Sequence, residues 1–134
     1  MRDLHNNINA EVALNTSAIS SDTTTNGNII DMQGFGSIEF VIQSGTLTDG
    51  TYTPLIQEGD ESNLSDATAV GDADLLGTEA DAAFIATEDN AVKKVGYIGN
   101  KRYVRLSIVS ASTTSGGTIS AVSVKSDAGD MPVM

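Results

Sequence analysis

The chain contains no cysteine, no tryptophan and one histidine. Without cysteine there is no disulfide framework, no thiolate metal site and no sulfur nucleophile. A serine nucleophile needs a base beside it, and the single candidate is His5, in the first residues of the chain; no Gly-x-Ser-x-Gly elbow accompanies it. Aromatic residues are scarce, three Phe and three Tyr in 134 residues. A core must therefore come from Val, Ile, Leu and Ala. Such a core is thin per residue, and part of the stability is expected from self-association or from a partner. No apolar run approaches the roughly 20 residues of a membrane-spanning helix. The opening Met1-Arg2-Asp3-Leu4-His5-Asn6-Asn7 has no apolar stretch behind its one arginine, so it does not read as a secretory signal.

Positive charge is also in short supply. Seven Lys and Arg stand against eighteen Asp and Glu, a net charge of −11. No Lys or Arg falls between Asp3 and Val92, a span that holds sixteen of the acids, and five of the seven basic residues then fall between Lys93 and Arg105. An acidic chain repels phosphate backbones, so nucleic acid is not an expected partner. Two readings of the pattern stay open. The acids are a solvated surface, or the chain carries an acidic part and a basic part that orient neighbouring subunits.

What the sequence does have is short alternating segments rich in β-branched residues, separated by Gly, Asn, Asp, Ser and Thr. Strands are expected at residues 11–19, 29–32, 37–43, 52–58, 83–87, 92–98, 103–109 and 118–125. The clearest is 37–43, with Ile38, Phe40 and Ile42 on one face and Glu39, Val41 and Gln43 on the other. Residues 20–28 read as a polar connection with a turn at Asn26-Gly27. Asp49-Gly50 reads as a hairpin turn. Pro54 marks an edge or a bulge, because it cannot donate to a ladder. Residues 59–82 are acidic and Ala/Asp-rich, an excursion of the kind that serves as a binding loop or is mobile. Within it Asp72-Ala73-Asp74-Leu75-Leu76-Gly77 reads as a short helical turn with acidic caps. About eight strands with no sustained helical period predict an all-β fold, an antiparallel β-sandwich or jelly-roll-like barrel. The expected organisation is a flexible arm, residues 1–10, and a single β domain, residues 11–134.

Little in this pattern carries chemistry. Gly34-Phe35-Gly36 opens like a dinucleotide fingerprint, but Glu39 stands where the third glycine belongs and a strand follows in place of a helix. Asp72 and Asp74 form a lone Asp-x-Asp that does not continue into a calcium loop. Paired carboxylates for glycosidase work require a cleft that a sequence alone does not define. No cofactor, no bound metal and no catalytic activity are expected. The interface candidates are Lys93, Lys94, Lys101, Arg102, Tyr103 and Arg105, with the acids Asp72 and Asp74. The basic run is edge charge that blocks sheet-to-sheet aggregation, or a patch that meets acids on a neighbour, with Arg105 placed to stack on Tyr103.

The run Tyr97-Ile98-Gly99-Asn100-Lys101-Arg102-Tyr103-Val104-Arg105-Leu106 resembles a group of small structural proteins of tailed phages and prophages. Met32-Gln33-Gly34-Phe35-Gly36-Ser37, Thr48-Asp49-Gly50-Thr51-Tyr52 and Asp72-Ala73-Asp74-Leu75-Leu76-Gly77-Thr78 fit the same resemblance, which spans about Ile29 to Val124. It implies a virion component made in the host cytoplasm. The expected role is a capsid decoration (cement) protein on the phage head surface. Its partners would be the major capsid protein and itself, most simply as a trimer. A head–tail connector, neck or tail protein is the alternative within that class. A carbohydrate-binding or adhesion β-sandwich is the alternative from another.

Overall fold

A computed structural model describes residues 4–128. Seven long strands carry the architecture: β1 (Asn9–Ile19), β2 (Thr24–Asp31), β3 (Phe35–Leu47), β4 (Thr51–Gly59), β8 (Val92–Tyr97), β9 (Tyr103–Ala111) and β10 (Gly117–Ala128). Three two-residue strands, β5 (Thr68–Ala69), β6 (Leu75–Leu76) and β7 (Phe84–Ile85), interrupt the acidic excursion. One sheet has the order β1-β10-β3-β8-β6, the other β2-β9-β4-β5, with β7 also on β4. Every pairing is antiparallel. The two sheets pack against each other as a β-sandwich, as the alternation predicts.

The period-two pattern explains the core. Ile38, Phe40 and Ile42 of β3 face Ile56 of β4 and Val104, Leu106 and Ile108 of β9 in one buried cluster with Tyr52, Phe84, Val95 and Ile119. Burying each large apolar side chain contributes roughly 1.5–3 kcal/mol. Four aromatics, Phe40, Tyr52, Phe84 and Tyr97, are spent inside the sandwich.

Several local expectations shift. Asn26-Gly27 is not a turn: it lies within β2, where the register with β9 slips between Asn26 and Ile29. Here the missing side chain is used for a close approach, since a Cβ on Gly27 would strike the carbonyl oxygens of Ala13 and Leu106. Beside it the Asn28 side-chain amide donates to the Val12 carbonyl at 3.0 Å. This seam brings the outer strands β1 and β2 of the two sheets together along one side. Asp49-Gly50 closes no hairpin, because β3 and β4 belong to different sheets; the turn carries the chain across the sandwich. The Asp49 carboxylate there accepts the backbone N–H groups of Thr114, Ser115 and Gly116 at 2.8–3.1 Å.

Pro54 behaves as an edge residue: it pairs with Ile108 of β9, while on the other side of β4 strand pairing is confined to Thr51, Tyr52, Gln57 and Glu58. In the gap the Ile56 N–H donates to the Glu79 carboxylate at 2.7 Å, and the Ile56 carbonyl accepts from Val70 N–H at 2.9 Å. The excursion is thus anchored to the core, through buried Leu64, Val70, Leu75 and Ala82. Asp72–Asp74 forms a 3-10 turn, but its start at Gly71 has no side-chain cap, so neither acid caps it. The strand expected at residues 83–87 shrinks to Phe84–Ile85. Of the residues expected as an arm, His5–Asn7 form a 3-10 turn and Asn9 and Ala10 begin β1, while residues 1–3 lie outside the described residues.

The seam makes a direct test. Gly27→Ala is expected to cost about 2–3 kcal/mol, because backbone atoms on both sides must retreat. Gly71→Ala, with no heavy atom within 4 Å of the added carbon, is expected to leave stability unchanged or raise it by about 0.5 kcal/mol. Urea unfolding of the two variants checks both.

Candidate interaction surface at one end of the sandwich

Three connections meet at one end of the sandwich: the β2–β3 corner at residues 32–34, the β8–β9 turn at residues 98–102, and the Asp72–Asp74 turn. The corner and the turn are joined by Met32 N–H donating to the Arg102 carbonyl at 2.7 Å. Arg102 then forks onto the Asp31 carboxylate, both nitrogens at 2.9 Å, and donates to Gln33 Oε1 at 2.7 Å. The third connection joins through Ile98 N–H, which donates to the Asp74 carbonyl at 2.8 Å, and through Leu75 pairing with Tyr97. The Tyr97 hydroxyl accepts from Lys101 N–H at 3.0 Å and so holds the turn closed. Between corner and turn lies an open cleft of about 280 Å³, with Met32, Phe35, Tyr97, Asn100, Lys101 and Arg102 in its walls. Ile98 stands exposed beside it.

The basic residues are contiguous in sequence but do not form a basic patch. Lys101 pairs with Asp60 at 3.0 Å, Arg102 with Asp31, and Lys93 with Glu88 at 2.7 Å. Lys93 also donates to the Ala83 carbonyl at 2.6 Å and lies over the Phe84 ring. Lys125 is almost fully buried: it pairs with Glu11 at 3.3 Å, donates to the Asp31 carbonyl at 3.0 Å and sits over the Phe35 ring. The separation of charge along the sequence is therefore undone in space, and the notion of distinct acidic and basic parts gives way to neutralised cations among surplus acids. Around Lys101 the acids Asp60, Glu58 and Asp66 all favour its charged form.

The remaining candidates are scattered. Lys94 is exposed on β8 and faces away from the core, opposite Val41. Arg105 donates to Gln57 Oε1 at 3.1 and 2.6 Å, a neutral partner. It does not stack on Tyr103; the guanidinium over that ring, at 5.0 Å, belongs to Arg102. Asp72 is exposed on the 3-10 turn. Asp31, Gln33 and Asp60, which organise this end, were not candidates from sequence. Asp31 could have been suspected as the charged terminus of the Ile-Ile-Asp strand, but nothing in the sequence registers a pair 71 residues apart.

Hydrogen bonds, burial and neighbouring charge together explain the titration shifts. The Arg102 hydrogen bonds hold the Asp31 carboxyl below its ordinary 3.8, with burial opposing and the Gln33 N–H adding to the effect. Glu58 goes the other way, raised first by burial and then by Asp74, with Lys101 opposing. The Lys101 ammonium is raised chiefly by its hydrogen bond to Asp60.

No protein-family model and no curated protein matches the chain. Among solved structures, the crystal structure of SPBc2 prophage-derived protein YomS superposes with a TM-score of 0.52 over 88% of this chain and 91% of that one, at 14% identity. The chain therefore shares its sandwich with a prophage-derived protein along nearly its full length. A chain of the infectious bursal disease virus Gx strain structure aligns at a TM-score of 0.44 and 17% identity, over 93% of this chain and 33% of that one.

The Arg102 fork is testable by pH. A depressed folded-state pKa contributes stability above the unfolded value, and that contribution is lost as pH falls through the folded one. The Asp31 contribution should therefore be nearly complete above about pH 4 and be lost progressively as pH falls from there through the lowered folded-state value. The pair is nearly half exposed, 46% and 43%, so Arg102→Ala should lower stability only slightly at neutral pH. Carboxyl NMR titration should show Asp31 moving back up towards 3.8 in that variant.

Proposed function

We propose that this chain is a structural subunit of a tailed-phage particle, and that it decorates the assembled capsid shell and stabilises it. One observation carries the proposal. Of the four segments that resemble small phage structural proteins, three converge on the same end of the sandwich, although they lie far apart in sequence. Met32 meets Arg102, Ile98 meets Asp74, and Leu75 pairs with Tyr97. The fourth, at Thr48-Asp49-Gly50, forms the crossing between sheets and pins the Thr114–Gly116 backbone. Resemblance concentrated on one surface supports reading that surface as the binding end. The fold shared with a prophage-derived protein is consistent with this reading.

In this role the major capsid protein presents the complementary surface. The binding end carries Asp60, Asp66, Asp72 and Asp74 around Lys101 and Arg102, so a basic partner surface fits it. A subunit that binds the assembled lattice and not free capsid protein stabilises the lattice by mass action. Repetition over the shell multiplies modest contacts. The work is binding, with no catalytic step. The head surface of the virion is the proposed location, and a station at the head–tail junction is the competing one. A carbohydrate-binding role has less to stand on: Tyr52 and Tyr97 are buried, which leaves Tyr103 as the only tyrosine with accessible surface to offer a sugar.

Particles prepared without this chain should rupture at a lower temperature than complete particles, and added protein should restore the difference by binding mature shells. Equal rupture temperatures, or the chain found only at the portal vertex or tail in electron micrographs, would reject the cement role. Because Lys101 and Arg102 support their own fold, Asp72→Lys with Asp74→Lys is the cleaner probe of the binding end. Occupancy of particles by that variant should fall several-fold at low salt and less at high salt.

A further inference from the structure

The two sheets differ in what they show to solvent. On the outer face of the β1-β10-β3-β8-β6 sheet, cross-strand register sets Val12, Val122 and Val41 side by side on three adjacent strands, with Lys94 next. The neighbouring row runs Ala10, Val124, Glu39, Gly96, Leu76. Val12 is 52% exposed, Val122 42% and Leu76 55%, so exposed apolar side chains stand on both edge strands and on β10, with Glu39 and Lys94 between β10 and β6. At Gly96 the row flattens, because the Glu39 carboxylate lies where a side chain would project. Burial raises the Glu39 carboxyl, with Lys94 opposing.

We propose that this face pairs with the same face of a second copy of the chain. The argument is charge. The chain carries a net charge of −11, so two copies repel on most approaches. Among the described side chains the long outer face holds only two charged residues, Glu39 and Lys94, and they cancel. The acids sit elsewhere: nine of them, Asp60, Glu61, Asp66, Asp72, Asp74, Glu79, Asp81, Glu88 and Asp89, fall in the segment that joins β4 to β8. The outer face of the opposite sheet carries Arg105 and Asp31, and of the exposed large hydrophobic residues only Val109 lies on its three long strands.

Size agrees. Strand spacing near 4.8 Å and a rise near 3.4 Å give β1, β10, β3 and β8 a face of roughly 600 Å². Doubled, that reaches the lower bound of specific interfaces, about 1,200 Å² in total. Face-to-face packing of two sheets is the same geometry that forms the sandwich core. A face that pairs with itself yields a twofold dimer in place of the three-membered ring expected from sequence. The inference rests on this sheet alone and not on the particle role.

Sedimentation equilibrium of the full chain, from about 5 to about 500 μM, tests it. The mass should rise towards twice the monomer with concentration. The rise should be stronger at about 0.5 M salt than at about 0.05 M, because salt screens the repulsion between acidic copies. Val122→Glu should weaken pairing by about tenfold or more, since it sets carboxylates across the apolar row. Lys94→Glu should act in the same direction at an exposed site that folding tolerates, and it decides the matter if Val122→Glu fails to fold. Val109→Glu, on the outer face of the other sheet, should leave pairing intact. A monomer at every concentration and salt, folded face variants that pair as the parent does, or loss of pairing with Val109→Glu alone would each overturn the proposal.

Discussion

The sandwich closes along one side only because position 27 has no side chain. There the β2 backbone passes between the carbonyl oxygens of Ala13 and Leu106 with no room for a Cβ. That approach brings an outer strand of each sheet to the other, and Asn28 seals it with a bond to Val12. Two edges that would otherwise present free backbone groups are covered by one another. On the opposite side the problem is handled differently, with two-residue strands and a Glu79 side chain in place of full-length partners. Both solutions limit edge-to-edge addition and leave faces and ends as the surfaces for partners.

Charge is distributed by a similar economy. An acidic chain with seven basic residues places four of them, Lys93, Lys101, Arg102 and Lys125, in internal pairs with acids. Three of these cations also lie over aromatic rings, so the few aromatics serve twice. Exposed pairs of this type contribute little each. Their value here is positional: they tie residues 98–102 to β2 and to the loop after β4, and residues 86–90 to β8. Lys125 is the exception in depth, 5% exposed and held by Glu11 and a backbone carbonyl.

The sheet elements were legible because alternation is a local signal. Ile38-Glu39-Phe40-Val41-Ile42 and Val104-Arg105-Leu106-Ser107-Ile108 announce which side is buried, and the core follows from them. The turns misled for a physical reason. Asn-Gly and Asp-Gly state that a residue tolerates unusual backbone geometry or lacks a side chain, not what use is made of it. At Gly27 the use is contact; at Gly50, with φ of 89°, it is a crossing between sheets. The site was half legible. Arg102, Lys101 and Asp74 were visible as charged residues in short motifs, and the structure does bring them to one end. Asp31, Gln33 and Asp60 were not, because their roles arise from pairings across 41 to 71 residues. Only the topology creates such pairings.

The place of β10 has a consequence for how the chain is made. It is the last strand in the described sequence, yet it lies inside its sheet, between β1 and β3. On the ribosome, β1 and β3 emerge early with a gap between them that only β10 fills. Until then each presents an unpaired backbone edge to the surroundings, including another nascent copy. Pairings between strands distant in sequence form late, because loop-closure entropy must be overcome first, and here the first and last described strands pair with each other. The slot stays open until β10 itself pairs. A peptide with the sequence of β10 could enter the slot from another chain, which would make strand exchange between copies the characteristic assembly error of this fold.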